Sequence, residues 1–188
     1  MFIQTESTPN PATLKFLPGQ RVLGTGTADF PHAEAATASP LARRIFDTGD
    51  VVGVFFGPDF VTVTKAEEVD WAHIKPAILG AIMDHFQSGD PVIEGEGQAG
   101  AVGHASHDGP DADIVGQIKE ILDTRVRPAV AQDGGDITFH GFDRGVVYLH
   151  MQGACAGCPS STMTLKMGIE NLLRHYIPEV TEVRPVGL

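Results

Sequence analysis

The apolar positions along this chain change period several times, and each change marks an element. Val51 to Phe56 and Phe60 to Thr64 are two β-rich runs around Gly57-Pro58-Asp59, which predicts a hairpin. Trp71, Ile74, Ile78, Ile82 and Phe86 then recur at three- and four-residue spacing, which predicts a helix with one apolar face. Asp70 is its expected N-cap, Pro76 is expected to kink it or delay its start, and Gly80 to weaken it. Before the hairpin, Ser39-Pro40 opens a short helix over 40–46, with Ser39 as N-cap, Pro40 at the first position and Gly49 as the stop. Residues 1–24 read as short strands and turns, Thr13 to Leu17 alternating weakly before Pro18-Gly19, and Thr25 to Pro31 reads as loop. A helix covering one face of a sheet makes residues 1–94 a small α+β domain.

A second set of patterns begins at residue 111. Ile114, Val115, Ile118, Ile121, Leu122 and Val126 share one helical face, with Asp111 or Asp113 as N-cap. Arg125 and Arg127 fall in the last turn, where cations suit the helix dipole, and Pro128 begins the exit. Asp133-Gly134-Gly135-Asp136 reads as a turn whose two glycines supply positive φ angles. Ile137 to Phe142 and Val146 to Met151 form a hairpin around Asp143-Arg144-Gly145. A helix from Pro159 follows, with Leu165, Ile169, Leu172, Leu173 and Tyr176 on one face and Pro178 at its end; Val180 to Val183 is a last strand. The expected order over residues 111–188 is α-β-β-α-β, and the fold class of the whole chain is α+β with two domains. Between them, residues 95–110 are rich in Gly, Ala, Ser and His, and no Lys or Arg occurs between Lys75 and Lys119. Such a segment buries too little to order itself and is expected to be a flexible linker with a span of about 25 Å. His104 and His107 lie in it and are expected to be solvated.

The chemistry concentrates in Gly153-Ala154-Cys155-Ala156-Gly157-Cys158-Pro159, which holds both cysteines of the chain. The preceding strand and following helix put them on a strand-to-helix turn. Pro159 at the first helical position places Cys158 at about the N-cap. A helix start favours anions and lowers a thiol pKa. The small neighbours are expected to leave the sulfurs uncovered, with Met163 and Met167 as apolar support behind. Two cysteines chelate one edge of a metal and cannot fill a four-thiolate site. A second copy supplies the other pair, or histidines do, or the pair works as a dithiol.

Composition narrows the classes. A formal charge of −11 argues against a nonspecific nucleic-acid grip. The longest apolar runs are too short to span a bilayer. The first residues, Met1 to Glu6, resemble neither a signal peptide nor an Arg-rich transit peptide, so the expectation is a cytosolic protein with reduced thiols.

The residues also carry a family resemblance. Gly153 to Ser161, preceded by Asp133-Gly134-Gly135-Asp136-Ile137 and Val147-Tyr148-Leu149, resembles the C-terminal domain of the NifU/Nfu iron–sulfur scaffold proteins. Phe2 to Pro11, Ser39-Pro40-Leu41-Ala42 and Val54-Phe55-Phe56-Gly57 resemble the N-terminal domain of the same Nfu proteins. The resemblance implies a [4Fe–4S] cluster bridged between two protomers, each giving Cys155 and Cys158, with a [2Fe–2S] precursor left open. It implies a homodimer when loaded, apo iron–sulfur proteins as acceptors, upstream cluster-assembly proteins as donors, and no turnover chemistry of an enzyme.

Three rivals stand beside it. A dithiol–disulfide oxidoreductase uses the same motif, but thioredoxin-like folds need a βαβ unit before it and a hairpin after it, whereas here the hairpin comes first. A zinc module would draw on His140 and His150, whose spacing is too loose for a Cys₂His₂ site. An interaction protein with inert cysteines leaves the small residues and Pro159 around them without a reason.

Overall fold

The computed structural model describes residues 1–95, 109–156 and 159–186. The expected linker lies almost wholly outside the described residues, as do His104, His107 and Cys158. The chain splits into two compact units, Met1–Ala101 and Val102–Leu188.

The first unit is a five-stranded sheet with helices on one face. Its strands are β1 (Gln4–Ser7), β2 (Thr13–Leu17), β3 (Ala28–Phe30), β4 (Val51–Phe56) and β5 (Val61–Lys65), and its helices are α1 (Pro40–Phe46) and α2 (Trp71–Ser88). The sheet order is β1-β2-β5-β4-β3, and every pairing is antiparallel. Phe16, Val54, Phe56, Val61 and Val63 share the core with Leu41, Ile45, Ile74, Ile78 and Ile82. The helix period of α2 and the alternation of the strands thus meet in one apolar layer.

Local chemistry sets the boundaries. Ser39 caps α1: its Oγ accepts from the Ala42 N–H at 3.1 Å and donates to the Val92 carbonyl at 2.6 Å. The cap therefore also ties the start of α1 to the chain leaving α2. Asp70 occupies the N-cap of α2 but makes no side-chain cap hydrogen bond. Pro76 does not delay the helix, which starts at Trp71 and runs through it; the missing N–H falls near the first turns and the apolar face holds the rest. Thr25 to Pro31, expected as loop, contains β3. Three residues carry little propensity signal of their own, and the strand exists because it pairs with the distant β4, Phe30 opposite Val54.

The second unit has the expected order, with one addition. A helical stretch covers Ala112–Gln132 as α3 (Ala112–Ile121), a π-helical turn (Leu122–Val126) and α4 (Arg127–Gln132). Pro128 was expected as the exit, yet it sits inside α4. A proline ring crowds the carbonyl four residues back, and the wider π turn just before it gives that carbonyl room. Asp111 is the N-cap of α3, again with no side-chain cap hydrogen bond. Then come β6 (Gly135–Asp143), β7 (Val146–Gly153), α5 (Pro159–Tyr176) and β8 (Glu182–Val186). The last strand starts two residues later than Val180, because Val180 is buried as part of the turn from α5.

The strand β7 is central: β6 pairs with it antiparallel and β8 parallel. The parallel pairing requires a crossover, and α5 provides it. Arg144 and Gly145 both have positive φ, 50° and 83°, as a two-residue hairpin loop of matching twist demands. Val147, Leu149 and Met151 of β7 meet Val115, Ile118, Leu122, Ile169 and Leu173 in the core. The carboxyl end of β7, Met151 to Gly153, is held by β6 alone, Gly153 opposite Gly135, and it is this end that leads into the cysteines.

Candidate functional site

Cys155 stands two residues past β7, between the strand and α5. Three contacts hold its turn. The Ala154 N–H donates to the Gly134 carbonyl at 3.2 Å, and the Ala156 N–H to the Gly153 carbonyl at 3.1 Å. The Thr162 hydroxyl, on the first turn of α5, donates to the Cys155 carbonyl at 3.1 Å. Strand, helix and the neighbouring turn at Gly134 all grip the same few peptide units.

Gly135 completes the seat. A Cβ built there would collide with the Cys155 sulfur and lie 2.8 Å from the Gln152 carbonyl oxygen. Only a residue without a side chain lets the sulfur rest against the backbone of β6. The two glycines of the Asp133–Asp136 turn thus have different reasons. Gly134 supplies the positive φ, 81°; Gly135 supplies space.

The expectation of an uncovered, acidified sulfur is corrected for Cys155. The residue is 5% exposed. Burial pushes its thiol up from 9.0 to about 12, and the nearby carboxylates of Asp133 and Asp136 push the same way. A thiolate is disfavoured by the apolar surroundings before any helix dipole can help it. Cys158, the second expected ligand, lies outside the described residues. Met163 and Met167 do not lie behind the site as support: they are 65% and 59% exposed. Ile169 and Leu173 take the core positions, with Leu165 and Leu172 partly buried against them, while Tyr176 is exposed under the guanidinium of Arg125 at 5.0 Å.

An ion pair beneath the turn escaped the sequence reading. Asp136 is 3% exposed. Its two carboxylate oxygens each accept from Arg127, from Nε and Nη2, both at 2.9 Å. Oδ1 also accepts from the Ile137 N–H at 2.8 Å. Arg127 donates further to Asp123 at 3.0 Å. These bonds hold the guanidinium well above its usual pKa range. The helix dipole explains Arg127 only in part; its main role is to answer a buried carboxylate next to Gly135. The only hint in the sequence was an arginine near a helix end followed by an acid after the turn, and no spacing rule links them.

The two histidines that a zinc module would have drawn on sit on strands, as their place in the sequence implied. His140 falls at the irregularity of β6 between Phe139 and Gly141, and His150 lies on β7 opposite Thr138. Among the described residues no group of three or more His, Cys, Asp or Glu is placed to hold a metal ion.

Two family models match the chain, one in each unit. The model "Scaffold protein Nfu/NifU N terminal" matches residues 3–89, and "NifU-like domain" matches residues 118–184. The human protein named "NFU1 iron-sulfur cluster scaffold homolog, mitochondrial" is 54% identical over 187 residues, 99% of this chain and 72% of its own length. The chain belongs to the Nfu/NifU family. "NifU-like protein 4, mitochondrial" of Arabidopsis thaliana is also 54% identical, over 97% of this chain and 65% of its own length. The chain therefore spans about two thirds of the length of these curated relatives. A solved NifU-like protein from Saccharomyces cerevisiae is 31% identical and covers 51% of this chain and 87% of its own, with a TM-score of 0.46.

These relatives correct one expectation. Their names place them in mitochondria, which points there rather than to the cytosol. The cytosolic reading rested on Met1 to Glu6 and on reduced thiols. The first carries no address when the chain spans only part of its relatives, and the second does not separate one reducing compartment from another.

Proposed function

We propose that this chain is an iron–sulfur cluster scaffold and carrier. Cys155 and Cys158 of two copies together bind one [4Fe–4S] cluster, which is cargo and is passed on to apo-proteins. Upstream assembly proteins supply it. The N-terminal domain spans residues 1–94 and the cluster-binding domain residues 111–188, with residues 95–110 as the link that lets the second reach its partners.

One observation carries the reading. The turn bearing one of only two cysteines is clamped by a strand, a helix and the glycine seat of β6, and the second cysteine is three residues on. A soft donor in a clamped turn, with a second soft donor three residues on in the sequence, fits iron, and the family supplies the cluster. Two thiolates per chain cannot complete four cluster ligands, so a second copy must. A thiol must give up its proton to bind metal. Since Cys155 is buried, loading includes bringing its sulfur outward or iron inward, and the same small-residue turn then lets an acceptor's thiolates approach.

The oxidoreductase reading fits less well. An attacking thiol is exposed and has a depressed pKa, and Cys155 has neither property.

Anaerobic reconstitution of the full chain with ferrous iron and sulfide tests the proposal. The expected product holds two irons and two sulfides per chain, and Cys155→Ala and Cys158→Ala each abolish uptake. Disulfide reduction by a chain that takes up no iron would reverse the choice.

A further inference from the structure

We propose that Thr162 is a positioning residue for loading: its hydroxyl latches the turn that stows the Cys155 sulfur in the core of the empty chain, and release of that latch presents the sulfur to iron. This rests on the reading of Cys155 as a cluster ligand given above. It adds two positions for that ligand and names the group that holds one of them.

The stowed position is a core position. Cys155 is 5% exposed and belongs to the apolar cluster of Ile137, Met151 and Ile169. Successive residues of a strand point to opposite faces, so Gly135 shares the core-facing side of β6 with Ile137 and Phe139. Gly135 has no side chain, and the sulfur lies where its Cβ would be. The backbone of β6 on one side and apolar side chains on the other leave the sulfur almost no open flank.

A cluster of several iron and sulfide ions needs free space beyond the sulfur that binds it. A packed interior holds no void of that size. Of the two routes to loading, sulfur outward or iron inward, packing leaves the first. The sulfur then has to leave its seat by an outward turn of the Cys155 peptide.

One side chain stands against that movement. The Cys155 carbonyl accepts from the Thr162 hydroxyl at 3.1 Å. A threonine within a helix ordinarily bonds a carbonyl of its own helix. Here the hydroxyl reaches seven residues back, out of α5 and onto the cysteine turn. Thr162 is 8% exposed, so water is poorly placed to replace the bond once it breaks. An outward turn of the Cys155 peptide breaks it. Stowing also serves the empty chain: an exposed soft donor reacts with oxidants and alkylating agents, and a buried one is inert. When the cluster is handed on, the space beside Gly135 is there to receive the sulfur again.

The test measures alkylation of Cys155 by iodoacetamide in the empty full chain, with Cys158→Ser in place so that one thiol is read. The folded chain is expected to react at least about tenfold more slowly than the same chain unfolded in guanidinium, because local opening governs access. Thr162→Val is expected to raise the folded rate about fivefold, the factor that one hydrogen bond is worth. Amide exchange in β7 is expected to stay as in the parent. Thr162→Ser keeps the hydroxyl and is expected to keep the slow rate. With Cys158 restored, Thr162→Val is expected to take up ferrous iron and sulfide about fivefold faster at first and to reach the wild-type iron content. Equal rates in the folded and unfolded chains would overturn the stowed sulfur. A Thr162→Val chain that reacts as slowly as its parent, or whose β7 amides exchange faster in step with the thiol, would overturn the latch. A freed thiol with no gain in the rate of uptake would overturn its part in loading. A wild type that takes up no iron would overturn the scaffold reading, and the alkylation rates would still decide the stowed sulfur.

Discussion

His85 in the N-terminal unit and Asp136 in the C-terminal unit are both buried and ionisable, and the two are accommodated in different ways. In the N-terminal unit His85 is 0% exposed, and neither ring nitrogen has a hydrogen-bond partner among the described residues. Burial, with the Arg44 charge nearby, lowers its pKa, and Asp90 offsets this in part; the ring stays neutral at neutral pH. In the C-terminal unit Asp136 is nearly as buried, but Arg127 holds both of its oxygens. The first arrangement avoids a buried charge. The second keeps a buried ion pair, under the turn that bears Cys155. A buried pair is weak evidence for stability, because an apolar replacement often serves as well. Its location suggests instead that it fixes β6, and with it the glycine seat, against α4.

Breaking that pair gives the largest expected effect. Arg127→Leu leaves Asp136 buried without its partner and should cost about 3–5 kcal/mol. Hydrogen exchange on the full chain should show the loss in the second unit only. Equal protection in both units of the variant would mean that the pair has no such role.

Gly135→Ala comes next. The new methyl group cannot coexist with the Cys155 sulfur where it now lies. Overpacking of this kind costs about 1–3 kcal/mol. Iron uptake should fall further than stability does, because the displaced group is the proposed ligand. Unchanged uptake would show that the seat does not matter to loading.

On the other side of the comparison, Ser39→Ala removes the cap of α1 and its bond to the Val92 carbonyl. The expected loss is about 1 kcal/mol, seen as reduced protection of the first unit with iron binding unaltered.

The smallest effect appears only in acid. The His85 pKa is lowered from 6.5 in the folded chain, so the unfolded chain binds the proton more readily. Stability from this group is therefore full above pH 6.5 and is lost as pH falls below it. His85→Leu should flatten that slope in the first unit. For Cys155 the sign is reversed on the pH axis. Its thiol is raised from 9.0 to about 12, so its contribution is full below pH 9 and is lost as pH rises through that window.

The same contrast shows what the sequence made legible. Ser39-Pro40, the Arg144-Gly145 loop and the apolar face of α2 could be read because each signal is local, and the Cys155–Cys158 motif stood out because no other cysteine competes with it. The strand β3 could not be read, because its stability comes from pairing with a partner more than twenty residues away. Nor could the burial of Cys155, since the glycine that receives its sulfur belongs to β6, at the other end of the hairpin. The Arg127–Asp136 pair joins a helix to a strand across a turn, with no periodicity to announce it. Met163 and Met167 read as apolar support for the sulfurs, and only the path of α5 shows them facing solvent.

The most direct test of the account is the mass of the iron-loaded species. Light scattering on the anaerobically reconstituted full chain, with iron counted in the same peak, is predicted to give two chains carrying about four irons. A single chain that carries the whole cluster would contradict it.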